Sequence, residues 1–435
     1  MRRRVVVTGM GTVTPHADDV AELFRQLSEG VSAVRRIESF DPTGLPSQVA
    51  AEVLYAVRGP GSVGPYDLSP RAMMFATAAA QRALASAGIE ATDEPALRSR
   101  RAVHISVGVG STAIEALGPV TLDTWGVPGG DDPRDMVAFR QAAAQDAVRS
   151  RVLEDWFVDQ AAPALAHMMG ADRVSTAASA CASGSHTLLD AVGLIRLGRA
   201  DQVLAGGVCT PVTRSMMPGF AMLSALTTGS NDDPAAASRP FDAGRDGFIM
   251  AEGCSLLVLE ELGSAQARGA TIYGEVMGVG IATDAYRLTD PEPTGRGMAA
   301  AMSAAMADAG LGPEDIDYIN AHGTSTKLND AAETLAMKTA LGAAAASTPV
   351  SSSKSMFGHL IHAAGSTEAI ICLESIRQGV LTPTINQHTA DPDCDLDYVP
   401  NVARAASVRF ALNNSFGFGG QNVSVLLGRY DGSAS

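Results

Sequence analysis

The chain has 435 residues, 46 % hydrophobic and 18 % charged, enough to bury a large core and too apolar to stay disordered. Its net charge of −15 leaves no overall basic footprint for nucleic acid. Five scattered Cys, no CxxC or HExxH spacing, and no apolar run of about eighteen residues point to a reduced cytoplasmic chain without disulfides, metal site or membrane span.

The first strand is expected at Arg4 to Val7, running into a turn at Gly9-Met10-Gly11. The apolar run after the leading arginines is too short for a signal peptide. A helix follows from Ala17 to Glu29, then a Pro- and Gly-rich stretch over 41–66 with one short strand. Ser69-Pro70 opens an Ala-rich helix that Gly88 stops. Val103 to Val109 reads as a strand, 111–140 as a surface excursion, and Phe139 to Met169 as helical, broken near Pro163. Val174 to Ser179 is a small-residue strand that turns at Cys181 into a helix ending near Leu197, and Val203 to Gly207 is buried strand.

A second series repeats the pattern. Strands are expected at Cys254–Leu259, Ile272–Gly280, Ile316–Ala321 and Val350–Ser353, and helices at Ser264–Arg268, Gly297–Ala309, Asp330–Leu341 and Gly365–Arg377. A hairpin over Arg409–Asn414 and Asn422–Leu427 closes the chain. Alternating strands and helices predict an α/β fold with mainly parallel, helix-covered sheets. The similar size of the two series implies an internal duplication.

Reactive side chains sit in turns built of small residues. In Ser179-Ala-Cys181-Ala-Ser-Gly184 the thiol stands at a strand-to-helix turn, where the helix start favours a thiolate and the Cys181 amide can serve an oxyanion. A lone Cys among Ala and Ser is more often a packing residue. His322-Gly323-Thr324-Ser325-Thr326 and Lys354-Ser-Met-Phe-Gly-His359 place two imidazoles, and a Lys, in strand-end loops. The Asn414-Ser-Phe416-Gly-Phe418-Gly419-Gly420 turn reads blandly as a hairpin turn and sharply as a backbone-amide donor site with a phenyl gate; its spacing fits no phosphate loop.

Together with Arg239-Pro-Phe-Asp, Arg245-Asp-Gly-Phe248 and the Asp393–Pro400 run, these motifs resemble those of the β-ketoacyl-acyl-carrier-protein synthases, of the elongating fatty-acid type and of the ketosynthase chain of type II polyketide systems. The resemblance covers nearly the whole chain. It implies a thiolase-like fold of two α/β halves in five α-β-α-β-α layers, here about 1–262 with the nucleophile and 263–435 with both His. It implies decarboxylative condensation of malonyl-carrier with an acyl chain on Cys181. The roles it implies are Cys181 as nucleophile, His322 and His359 at the malonyl thioester, and Lys354 with Glu333 organising charge near His359. Cys181 and Phe418 would supply an oxyanion hole, with Phe416, Phe418 and Gly419 in the gate turn. Thr324 and Thr326 would bind pantetheine. No metal or dissociable cofactor is required. The implied partners are an acyl carrier protein and either a second copy or a homologous chain-length-factor-like subunit. A non-condensing acyltransferase and a tunnel-shaping partner subunit are the alternatives. Residues 118–160 depart from the family pattern, and Arg71, Arg82 and Arg268 are the candidates for a basic docking patch.

Overall fold

A computed structural model describes residues 2–66, 68, 70–108 and 160–432. The excursion expected at 111–140, the departures over 118–159 and the start of the helix expected from Phe139 lie outside the described residues.

Ten strands form the main sheet. In the first half these are β1 (Val5–Val13), β2 (Arg101–Val107), β3 (Arg173–Thr176), β4 (Gln202–Cys209) and β5 (Gly253–Glu261). In the second they are β6 (Gly274–Thr283), β7 (Tyr318–Asn320), β8 (Val350–Ser351), β9 (Phe410–Gly417) and β10 (Gln421–Gly428). The order is β8-β7-β9-β10-β6 followed by β1-β5-β4-β2-β3. Each half therefore reads third-second-fourth-fifth-first, so the internal duplication is present in the topology. The halves join where Val6 and Val7 pair with Glu275 and Gly274.

The sheet is mixed rather than mainly parallel. In each half the second strand runs parallel to the third and fourth, and the fifth runs antiparallel to the fourth and first. The short turn between β9 and β10 permits only an antiparallel pair. Alternation of element types carries no such information about strand direction.

Helices complete the layers. On the outside, α1 (Arg71–Ala87) and α2 (Ala161–Met169) cover the first half-sheet, and between the half-sheets lies α3 (Ser183–Arg196). The second half-sheet is covered by α4 (Arg296–Ala309) and α5 (Lys327–Leu341). The short α6 (Lys354–Phe357) precedes α7 (Ala364–Gln378), which packs against α3 and is buried from Ala364 to Ile376. A helix enclosed between two sheets has no solvent face, which is why its residues show little amphipathic pattern.

One expectation about a turn is corrected. Gly9 and Gly11 do not turn the chain; β1 continues through them, with a shift of register between Val7 and Gly9, and is buried throughout. A Cβ at Gly11 would stand 2.0 Å from the Ala79 carbonyl oxygen and one at Gly9 2.2 Å from that of Ala83, so these glycines let α1 lie on the strand. The second half repeats the device: Cβ atoms at Gly280 and Gly278 would stand 2.0 and 2.1 Å from the carbonyls of Ala301 and Ala305 on α4. Pro163 stands at the start of a described helix, in the first turn of α2, where its missing N–H removes no intrahelical bond, and the helix expected before it lies outside the described residues. Among the described residues no helix is long and apolar enough to cross a membrane.

Candidate active site

The Cys181 turn lies between β3 and α3. Ala180 has φ +47°, a left-handed conformation that a Cβ makes costly. Local bonds hold it: the Ser179 N–H donates to Ser183 Oγ at 2.8 Å, and that hydroxyl donates to the Ala180 carbonyl at 2.6 Å. The end of β9 presses on the other side. A Cβ at Gly417 would meet the Ser179 carbonyl at 2.7 Å and the Cys181 nitrogen at 3.1 Å, so only glycine brings the following Phe418 amide up to the sulfur. The backbone N–H groups of Phe418 and of Cys181 both act on Sγ.

The start of α3 does not lower the thiol pKa as the sequence implied. Cys181 is 5 % exposed, and burial pushes its thiol up to about 11. Lys354 and the two amides pull in the opposite direction without overcoming that desolvation.

The imidazoles come from the second half. After β7 the chain turns through Gly323 and Ser325, at φ +38° and +71°. The Glu333 carboxylate on α5 accepts the backbone N–H of His322 and that of Gly323, each at 2.8 Å, and so fixes the loop. Burial pushes Glu333 up to about 7 against the pull of those amides. Lys354, at the start of α6, pairs with Glu368 on α7 and stands 3.5 Å from Nδ1 of His322. His359 Nδ1 faces the Ile361 N–H at 3.3 Å, and its Nε2 is buried with no hydrogen-bond partner. The two rings lie 5.3 Å apart and nearly perpendicular.

Burial first, then the Lys354 charge, holds both imidazoles well below their usual range, so both are neutral at pH 7. Lys354 and the Ile361 N–H occupy the two Nδ1 atoms with donors. The network thereby assigns the proton of each ring to Nε2. Ala180, Ser325 and Ile361, all non-glycine residues at positive φ, lie within three residues of Cys181, His322 and His359.

Cys181, His322, His359, Thr324, Thr326, Phe416 and Phe418 line one cavity of about 470 Å³. The two threonine hydroxyls are 2.9 Å apart. Phe416 is buried against His322, with ring centroids 5.8 Å apart, whereas Phe418 is half-buried. Gly419 does not line the cavity; it is exposed, at φ +80°, and its N–H donates to the Leu288 carbonyl at 2.7 Å.

Sequence reasoning missed Glu368. The Lys354 charge acts on His359 and Glu333 as expected, but its ion-pair partner is Glu368, and it also lies against His322. A Glu among the small and apolar residues of the first turns of α7 was the available signal. Arg71, Arg82 and Arg268 are each taken up in ion pairs, with Glu252, Asp18 and Glu260, and none lines the cavity. Lys327 does line it, and with Arg287 it also lines a neighbouring cleft.

Comparison with known proteins follows the same outline. Residues 2–265 match the family model of the beta-ketoacyl synthase N-terminal domain, and residues 273–388 that of the C-terminal domain. The chain is 40 % identical over 432 residues to a Streptomyces coelicolor chain named for the actinorhodin polyketide beta-ketoacyl synthase 1, covering 98 % of this chain and 89 % of that one. It is 37 % identical over 451 residues to the 3-oxoacyl-[acyl-carrier-protein] synthase 2 of Rhizobium meliloti, covering 99 % of this chain and 100 % of that one. Among solved structures it resembles a type II polyketide ketosynthase, bound to a hexaketide and in complex with its acyl carrier protein (TM-score 0.86, 32 % identity, 99 % of this chain and 100 % of that one). It also resembles the ishigamide ketosynthase/chain length factor (TM-score 0.81, 35 % identity, 99 % and 100 % coverage).

Proposed function

The chain belongs to the beta-ketoacyl synthase family, and from that premise we propose how its residues carry out the family's reaction. It is an acyl-transferring condensing enzyme, a 3-oxoacyl-[acyl-carrier-protein] synthase of fatty-acid or polyketide biosynthesis.

The Cys181 thiol gives up its proton, the thiolate attacks the thioester carbonyl of an acyl-carrier, and the carrier sulfur leaves and takes up that proton. The amides of Cys181 and Phe418 receive the transient oxyanion. Malonyl-carrier then enters. Its carboxylate leaves as carbon dioxide, and the electron pair moves onto the thioester oxygen as an enolate. The Nε2–H groups of His322 and His359 hold that oxygen. The enolate carbon attacks the Cys181 thioester, the second oxyanion forms at the same amides, and its collapse expels the sulfur and leaves a 3-ketoacyl-carrier. Thr324 and Thr326 bind the pantetheine, Phe418 gates the cavity, and Lys354 acts through His322 rather than on substrate. The acyl groups arrive on the carrier's own phosphopantetheine, so the chemistry calls for no dissociable cofactor.

One observation carries this assignment: the buried His359 Nε2 has a proton and nothing to give it to, beside His322 and the sulfur in one cavity. An unpaired buried donor is costly unless a substrate completes it. A non-condensing acyltransferase has no use for a second imidazole donor there.

The partners are an acyl carrier protein and a second chain of the same fold. The solved relatives include a ketosynthase with its carrier and a ketosynthase/chain length factor. In this chain β3 is exposed along its length and, among the described residues, pairs on one side only at an end of the main sheet; such a strand edge invites a second edge. Incubating the protein with acyl- and malonyl-carrier should release carbon dioxide and yield 3-ketoacyl-carrier; acyl transfer without carbon dioxide would defeat the assignment.

A further inference from the structure

Outside the cavity a continuous chain of polar side chains runs from the exposed sheet edge to the nucleophile turn. Ser175 Oγ on β3 lies 2.7 Å from Nδ1 of His104 on β2. Nε2 of His104 lies 2.9 Å from a carboxylate oxygen of Asp190 on α3. The same oxygen stands 3.8 Å from Nε2 of His186, one turn earlier on that helix. Nδ1 of His186 lies 2.9 Å from Oγ of Ser179, two residues before Cys181. None of these side chains lines the cavity, and condensation makes no direct use of them.

The turn needs such support. Ala180 holds a left-handed conformation that persists only where neighbours over-determine it. The Ser183 hydroxyl fixes the Ser179 N–H and the Ala180 carbonyl, but it belongs to the same short turn. Among the described residues, only the His186 contact ties the Ser179 side chain to a group that is itself anchored on the sheet. His104, 6 % exposed on β2, is that anchor: its hydrogen bond holds the Asp190 carboxyl below the usual range, and the resulting carboxylate faces the His186 ring.

We infer that His186, oriented by Asp190 and His104, is a positioning residue for Cys181. It touches no substrate atom. By holding Ser179 it keeps the sulfur aligned with the amides of Cys181 and Phe418. The inference rests on Cys181 being the nucleophile, as proposed above.

The two half-reactions separate this role from a merely structural one. Acyl transfer depends on the Cys181 turn, whereas malonyl decarboxylation depends on His322 and His359. Single-turnover acylation from acyl-carrier, read by mass at Cys181, and carbon dioxide release from malonyl-carrier should be measured side by side. In His186→Ala and Ser179→Ala, acylation should fall about 10- to 100-fold, the cost of a small misplacement, with decarboxylation within about twofold of wild type. His186→Asn, which returns an amide near the place of Nδ1, should recover most of the loss.

Unchanged acylation in both variants, or an equal fall in both half-reactions, overturns the inference. Ser179→Ala deletes only a hydroxyl, so it decides the matter if His186→Ala does not fold. A wild-type protein that never labels at Cys181 removes the premise as well; a labelling wild type with unaffected variants overturns the positioning role alone.

Discussion

The ammonium nitrogen of Lys354 stands 3.5 Å from Nδ1 of His322, and its counter-charge is Glu368, a residue enclosed in the central helix. Both members of the ion pair are at most 1 % exposed. Lys354→Met should therefore have two separable effects. Leaving Glu368 alone in a buried site costs roughly 3 to 5 kcal/mol of stability. Losing the donor at Nδ1 frees the His322 tautomer and should lower decarboxylation about 100-fold. Adding Glu368→Leu should restore much of the melting temperature, read by calorimetry, and none of the activity. If activity returned with stability, Lys354 would be only a structural ion-pair member.

His359 offers its partnerless Nε2 to the cavity. His359→Ala should leave acylation of Cys181 intact and cut carbon dioxide release by about 100- to 1000-fold, as loss of one preorganised donor does. Acyl-enzyme mass and carbon dioxide measured on the same preparation decide it. Equal loss of both would place the imidazole in the first transfer instead.

What the sequence disclosed follows from how each residue works. Cys181, His322 and His359 are legible because their chemistry demands one side chain, set in a loop of small residues. Glu368 is not, since a Glu on a helix ordinarily marks a solvent face, and only the packing of α7 between two sheets makes it internal. Gly9 and Gly11 were misread because glycine serves tight turns and close helix approach alike; the neighbour that decides, α1, is some seventy residues away in sequence. The thiol pKa failed for a related reason. The helix start is a local feature and can be read, whereas the desolvation that outweighs it comes from the whole fold.

That desolvation has a pH signature. With the Cys181 thiol near 11, the thiolate fraction rises about tenfold per pH unit through the neutral range. Iodoacetamide labelling at Cys181, followed by mass, should climb about tenfold from pH 7 to 8 and again to 9. None of the other four cysteines lines the Cys181 cavity, and burial raises each of their thiols further than that of Cys181, so they should label slowly. The stability sign agrees: above the unfolded value of 9.0 the folded chain keeps a proton the unfolded chain loses, so this thiol's contribution, full below 9.0, is lost as pH rises through about 11. A flat labelling profile between pH 6 and 8 would mean that the thiolate already exists in the resting enzyme.

The repeated glycines give a paired prediction across the two halves. A Cβ at Gly11 or at Gly280 would stand 2.0 Å from a helix carbonyl, that of Ala79 or of Ala301. Neither backbone can yield without moving its helix, so Gly11→Ala and Gly280→Ala should each cost about 1 to 3 kcal/mol and lower the melting temperature by similar amounts. Their effects on turnover should differ. The helix displaced by Gly280→Ala is α4, which carries Met298 on the cavity wall, whereas α1, displaced by Gly11→Ala, contributes nothing to that wall. Condensation assayed well below both melting points should therefore fall several-fold in Gly280→Ala and stay near wild type in Gly11→Ala. An equal loss in the two would show that the half-sheets transmit strain to the cavity alike, and that the packing of α4 has no special hold on it.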